Sequence, residues 1–182
     1  MTAKNQFPGS EKITPATALL SSTVLPVFSA SKCIDGKLQV HPDSRSMCVS
    51  KKEFAPWLAL DFGKGARVSV EKVVLIVRRD EPWLSPWART KNVQIRLSNE
   101  LPSTGKKVFS GGEVLGSFKG PATRGEQVEI HSGPGWENKT GRYLIIQMNF
   151  GKVIDFLNLH EAFATGISHT APPKGQLITD EW

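Results

Sequence analysis

Two cysteines are too few for a disulfide framework, and they cannot make a zinc site without histidine help. No apolar run approaches the roughly 18 residues that cross a bilayer as a helix. Residues 1–9 hold no basic stretch followed by an apolar core, so no signal-peptide pattern is visible. An extracellular location would require a leader outside this sequence; otherwise a cytoplasmic one is expected. A concentrated basic face is also missing. The 23 Lys+Arg exceed the 17 Asp+Glu by +6, but they fall in pairs such as Lys51-Lys52, Arg78-Arg79 and Lys106-Lys107. That spread argues against nucleic acid as a partner. It leaves attraction to sulfated glycans or anionic lipids open. The four histidines, His41, His131, His160 and His169, are scattered. There is no phosphate loop, nucleophile elbow or metal-protease helix, and no pair of carboxylates placed to face each other across a cleft. The chain is therefore expected not to be an enzyme.

Helical periodicity is almost absent, and what replaces it has period two. Leu58, Leu60 and Phe62 flank Ala59 and Asp61. Val93, Ile95 and Leu97 alternate with Gln94, Arg96 and Ser98, and Leu144, Ile146 and Met148 with Tyr143, Ile145 and Gln147. Residues 68–77 are rich in β-branched side chains. These segments read as strands, several with one inward face. Between them lie 16 glycines and 12 prolines, many in clusters such as Gly63-Lys64-Gly65 and Gly133-Pro134-Gly135. Many short strands separated by turns predict an antiparallel sandwich or barrel. A composition of 39% hydrophobic and 22% charged residues suits one folded domain. That domain is placed at 15–166, with an N-terminal extension over 1–14 and a C-terminal tail over 167–182. Leu177, Ile178 and Trp182 of the tail are able to dock back.

Several segments, taken in order, resemble the discoidin superfamily, also called the coagulation factor five/eight C-type or galactose-binding-like domain. They are Ala18–Thr23, Ala30-Ser31-Lys32-Cys33-Ile34-Asp35-Gly36-Lys37, Pro56-Trp57-Leu58-Ala59-Leu60-Asp61-Phe62-Gly63, the 68–77 strand, Arg89–Asn99, Gly141-Arg142-Tyr143-Leu144 and Leu157-Asn158-Leu159-His160-Glu161. Within the superfamily the sequence looks most like the fucose-binding F-type lectins. The resemblance implies an all-β, eight-stranded antiparallel jelly-roll sandwich with ligand loops gathered at one end. The strand pattern alone does not distinguish a jelly roll from an immunoglobulin-like sandwich.

On a strand over 157–163, alternation puts Glu161 on the face of Leu157, Leu159 and Phe163, so its carboxylate is expected to point toward the core. An ionised carboxylate there is costly unless it is paired or bound to metal. The residues leave three arrangements open. Asp35 caps a turn with Gly36 while Glu161 pairs with an arginine, or a bulge turns Glu161 outward, or the two acids share a cation. The resemblance implies the third, a structural Ca2+ held by the side chains of Asp35 and Glu161 and by backbone carbonyls of Lys32, Lys37 and Met47. At Met47 the family has a hydroxyl residue; here Ser46 is adjacent. Cys33 and Cys48 flank this loop, either as a disulfide or as two buried thiols. The family's usual partner for a cysteine matching Cys48 falls at His160.

The F-type sugar motif is a histidine, an arginine two before an aspartate, and a second basic residue. The resemblance carries these onto Arg78, with Asp80 as its orienting acid, and onto Arg89. The histidine position falls on Ser50, with His41 the other candidate rim contact. Planar guanidinium donors suit adjacent sugar hydroxyls, whereas ordinary surface ion pairs are the plain alternative. Residues 81–88 expand the spacing between Asp80 and Arg89, and they carry Trp83 and Trp87. Three roles are open for these rings: a stacking wall for a sugar, a spike into an anionic membrane, or a cover folded back on the sandwich. Trp57, after Pro56 and before an alternating strand, is expected in the core. The expected activity is that of a carbohydrate-binding lectin with glycan partners. An anionic membrane surface or a protein partner is the alternative, and homo-oligomers would add avidity.

Overall fold

The structure is a computed structural model that describes residues 10–37, 46–79, 86–103, 105–149 and 153–169. Among these residues the chain forms eleven strands: β1 (Glu11–Ile13), β2 (Thr17–Leu20), β3 (Cys48–Val49), β4 (Trp57–Asp61), β5 (Val68–Ile76), β6 (Val93–Ser98), β7 (Glu113–Phe118), β8 (Gln127–His131), β9 (Tyr143–Met148), β10 (Asn158–Leu159) and β11 (Glu161–Ser168). β1, β3 and β10 are two or three residues long; the other eight are the longer strands that the resemblance implies. All ladders are antiparallel. One sheet has the order β1-β11-β5-β8, the other β2-β4-β9-β6-β7, and β10 pairs with β3. This is an antiparallel jelly-roll sandwich. No helix among the described residues is long and apolar enough to cross a membrane.

The period-two pattern explains the core. Leu58 and Leu60 of β4, Ile95 of β6 and Leu144 and Ile146 of β9 meet Val73 and Leu75 of β5, Val128 and Ile130 of β8 and Ala162 and Ala164 of β11 in one buried cluster. Full burial of each large aliphatic contributes about 1.5–3 kcal/mol. In β5 the alternation slips once. Thr165 pairs with Lys72 and Gly166 with Val70, which leaves Glu71 as the extra residue of a bulge. Gly166 is required there, because a Cβ would collide with the Ser69 carbonyl.

The paired region is longer than the 15–166 expected from composition. β1 lies inside the expected extension, yet it pairs with β11, and Ile13 is a core residue. At the other end β11 runs to Ser168, and the His169 amide donates to the Arg67 carbonyl at 2.9 Å. Three residues of β1 are too few for a period to be read from sequence.

A second, smaller cluster lies on the outer face of the five-stranded sheet. Trp57, Ala59, Tyr143 and Ile145 pack there beneath Phe109. Trp57 is therefore buried as expected, but outside the sandwich interior. The 99–112 connection is held over this face by Arg96, whose Nε donates to the Gly111 carbonyl at 2.7 Å and whose guanidinium also reaches the Ser110 carbonyl at 2.7 Å.

The two ends of the sandwich differ. At one, Arg142 grips Asp61 with two hydrogen bonds of 2.8 Å, and the Gly63 amide donates to the same carboxylate at 2.8 Å. The guanidinium holds the Asp61 carboxyl below its ordinary range, against the opposing effect of burial. At the other end, Cys33 and Cys48 form a disulfide, both fully buried. It ties the Ala30–Cys33 3-10 turn to β3.

Two outcomes are expected. Asp61→Asn lowers stability at neutral pH. A depressed native pKa contributes stability above the unfolded pKa, near 3.9, and loses it below, so the gap from wild type closes as pH falls through the acid range. Urea unfolding from pH 2 to 7 checks this, and a gap that does not change with pH contradicts it. Breaking the disulfide, a closure of about 15 residues, costs about 3 kcal/mol. Urea midpoints with and without reductant, beside a Cys33→Ser/Cys48→Ser variant, test it; equal midpoints would deny the crosslink.

Candidate functional site

The disulfide end of the sandwich gathers the charged loops. Ile76, the last residue of β5, pairs with Glu161 and Gln127, and Val93, the first of β6, pairs with Phe118 and Met148. The 119–126 connection crosses from β7 to β8 at this same end. It is bonded to both neighbours: the Ala122 amide donates to the Thr90 carbonyl at 2.9 Å, and the Gly125 amide to the Arg78 carbonyl at 3.0 Å. Arg124 donates from Nε to the Arg79 carbonyl, and its guanidinium lies 5.9 Å from the Trp87 ring centroid. Arg124 thus links the Arg78-Arg79 segment to the Pro86–Arg89 3-10 turn. Arg78 and Arg89 both belong to this end.

Arg89 closes the Pro86–Arg89 turn. Its Nε lies 3.5 Å from Oδ1 of Asp155, and its guanidinium sits 5.1 Å over the Phe156 ring. Asp155 is itself fixed, since its backbone exchanges two hydrogen bonds with Glu53, at 2.9 and 3.0 Å. Lys52 approaches the Phe156 ring from Nζ at 6.0 Å. Two cations therefore share one aromatic ring. Next to them opens a cleft of about 520 Å³, lined by Lys51, Lys52, Glu53, Phe54 and Ile154 among others. Glu53 accepts hydrogen bonds from the Ser21 and Ser22 hydroxyls. Burial pushes its carboxyl up, while Ser21 and Lys51 pull the other way.

The remaining predicted ligand residues divide. Trp87 is half-buried and packs on the main core, which among its three open roles is the folded-back one. Ser50 leaves the rim. It is 0% exposed; its hydroxyl donates to the Lys51 carbonyl at 2.8 Å and accepts from the Leu157 amide at 2.9 Å. It joins the ends of β3 and β10, and a ligand cannot reach it. His41, Asp80 and Trp83 lie outside the described residues. Sequence reasoning did not single out Lys52, Asp155 or Phe156. The acid and the ring stand in a connection with no periodicity, and only the isolated Glu53–Asp155 bridge brings them to the arginine.

Of the predicted cation residues, the side chains of Asp35 and Glu161 come near each other. Glu161 is 3% exposed. The reason differs from the expected one. The chain bends at His160 between β10 and β11, so the core face passes from Leu157 and Leu159 to Ala162 and Ala164, and Glu161 falls on the opposite face. It is buried because the loop after Cys33 covers it. The Gly36 amide, in a left-handed turn at φ 71°, donates to the Glu161 carboxylate. The other oxygen, Oε2, is buried with no hydrogen-bond partner among the described residues. Desolvation, and in lesser part the nearby Asp35 carboxylate, raise the Glu161 pKa to about 7, with Gly36 and Lys12 opposing. Among the described residues no arginine pairs with Glu161. Asp35 also caps its own turn, with Oδ1 accepting from the Lys37 amide at 3.0 Å. Lys32, in the Ala30–Cys33 turn, lies on the same loop. Met47 is buried between Ser46 and Cys48, and the Ser46 carbonyl meets His160 Nδ1 at 3.0 Å. Two acids, one with an unpartnered buried oxygen, fit a hard cation whose remaining ligands are carbonyls. No cluster of three His, Cys, Asp or Glu accompanies them among the described residues.

No protein-family model and no curated protein matches the sequence. Solved structures do match the fold. One is a fucolectin from the serum of Morone saxatilis (striped bass), at TM-score 0.70 and 19% identity over 87% of this chain; this chain spans 50% of that lectin's length. A Streptococcus pneumoniae fucose-binding module matches at TM-score 0.61 and 17% identity, over 89% of this chain and 100% of that one. The family 32 carbohydrate-binding module of C. perfringens NanJ, solved with galactose, matches at TM-score 0.59 and 14% identity, over 86% and 99%. The chain has the galactose-binding-like sandwich fold of the F-type lectins and of these carbohydrate-binding modules.

Proposed function

We propose that this protein is a non-catalytic carbohydrate-binding module whose ligand sits at the disulfide end of the sandwich, over Arg89, and whose loops there are braced by a structural calcium ion. The observation that carries the reading is the Arg89–Asp155–Phe156 arrangement. Asp155 engages Nε of Arg89 and orients the guanidinium. The terminal nitrogens have no other partner among the described residues, and their planar donors suit vicinal hydroxyls. Lys52, near the same Phe156 ring, adds donors. Arg78 stands at the same end. Neighbours of this fold were solved as fucose-binding modules, with galactose, or with Lewis b antigen. Fucose itself is not assigned here, because Ser50 stands buried where the F-type motif has histidine. Self-association would raise the avidity of a shallow single site.

In the brace, the carboxylates of Asp35 and Glu161 would hold the ion, with carbonyls of Lys32, Lys37 and Met47 completing the shell. A calcium ion held there would neutralise the two acids, and Asp35 and Glu161 would thereby tie the loop to β11. Its role is structural.

A second reading, docking on an anionic membrane, rests on Val153 and Ile154. They are 63% and 54% exposed, and Ile154 shares the cleft with Lys51 and Lys52. Sedimentation with phosphatidylserine vesicles supports it if Ile154→Asp releases the protein, and removes it if wild type stays in solution.

On a glycan array with the full chain, Arg89→Ala is expected to weaken binding about 10- to 100-fold, the scale of hydrogen bonds to a charged donor. Undiminished binding would unseat Arg89. Calcium is expected to raise the melting temperature, and Glu161→Ala to abolish that rise. The pH dependence follows from the raised Glu161 pKa. In metal-free protein the buried proton contributes stability at low pH, and that contribution is lost as pH climbs from the ordinary glutamate value to about 7. Calcium competes with this proton, so the calcium-induced rise is larger at pH 8 than at pH 6. A rise equal at both values contradicts the assignment.

A further inference from the structure

The outer face of the five-stranded sheet carries a polar row that the rim does not use. Trp57, Gln147, Gln94 and Ser117 are successive cross-strand partners over β4, β9, β6 and β7. Gln147 and Trp57 are 1% and 6% exposed, and Nε2 of the first and Nε1 of the second are buried donors without a hydrogen-bond partner among the described residues. Both glutamine amides are oriented by their oxygens. Gln147 Oε1 accepts from the Phe109 amide at 3.0 Å, and Gln94 Oε1 from Arg96 at 2.8 Å. Their amino groups are thereby left for something else.

A cavity of about 480 Å³ lies over this row, within the range of small-molecule sites. Gln147 and Gln94 form its floor with Ser117, and Asn92, Asn149 and Lys119 line its sides. It contains four primary amides, one hydroxyl and one cation, with no acid. Primary amides donate and accept without a charge preference. That chemistry fits a neutral polyhydroxy compound better than an anion or an apolar ligand. Val108 and Phe118 supply apolar contact beside the amides. The site is distinct from the rim cleft, since the connection over Phe109 separates the two: Val108 lines this cavity, and Gly105 and Lys106 line the other.

We infer that this groove is a second carbohydrate site, in which the amino group of Gln94, above the buried and unpartnered amide of Gln147, donates to oxygens of a neutral oligosaccharide laid across β9, β6 and β7. The ligand class follows from the amide lining. The glycan reading of the rim agrees with it but is not required by it.

The test uses ¹⁵N-labelled full chain titrated with cellotetraose, chitotetraose and β-1,4-galactotetraose, following the side-chain amide resonances of Gln94 and Gln147. At least one probe is expected to shift both. Gln94→Ala then weakens that binding about 2- to 10-fold. Ser117→Trp, at an exposed position, fills the groove and abolishes the shifts, while Arg89→Ala leaves them unchanged. If no probe moves these resonances, or if Arg89→Ala removes the shifts, the groove is not a site. A silent groove beside array binding lost in Arg89→Ala overturns this inference alone. Groove shifts that persist when Arg89→Ala changes nothing on the array leave it standing and overturn the rim.

Discussion

A carboxylate sealed against the sheet without a full set of partners governs the disulfide end of this molecule. Glu161 starts β11 where the chain has just bent at His160, and the loop from Ile34 to Lys37 closes over it. One oxygen takes the Gly36 amide and the other has no hydrogen-bond partner among the described residues. An uncompensated buried charge costs several kcal/mol. The disulfide at the base of the loop contributes about 3 kcal/mol, which is not clearly larger. The charge must therefore be resolved by a proton or by a cation before the loop can lie as it does. A proton suffices in acid. Near neutral pH the proposed divalent cation, shared with Asp35, would neutralise the carboxylate and would also engage carbonyls that a proton leaves alone.

That requirement sets a contrast between the two ends. The far end is satisfied from within: Arg142 meets Asp61 in two hydrogen bonds, and the buried Ser69 hydroxyl reaches the carbonyls of Glu137 and Lys139 at 2.9 Å and His169 Nε2 at 2.7 Å. The disulfide end holds a half-buried Glu53, an unpartnered Glu161 oxygen, and cations stacked on Phe156 and Trp87. The sandwich closes its polar groups at the first of these ends and leaves them open at the second, where the proposed ligand would sit. The outer-face row follows the same logic in miniature, with two buried donors, on Trp57 and Gln147, left without a partner among the described residues.

Much of this was legible in the residues. The strands over 57–61, 68–76, 93–98 and 143–148 announce themselves by period two, because one face of each must be apolar. β1 was not legible, since three residues carry no period. Alternation predicts a buried Glu161, but it places the residue on the wrong face, because the chain bends at His160 and the phase slips there. Ser50 followed from motif placement, which records position and not exposure. Asp155 and Phe156 could not be found, since their place beside Arg89 comes from a single bridge to Glu53 across about a hundred residues of sequence. The amides of Gln94 and Gln147 stood plainly on the polar phase of their strands. What the sequence could not show was that a long connection folds over that face and buries one of them.

The direct measurement of the central claim is the titration of the Glu161 side-chain carboxyl carbon by ¹³C NMR, with and without calcium. In metal-free protein the account predicts a midpoint of about 7. With saturating calcium it predicts that this titration moves down into the acid range, as the cation displaces the proton. A metal-free midpoint at the ordinary glutamate value, or a midpoint that calcium leaves in place, would contradict it.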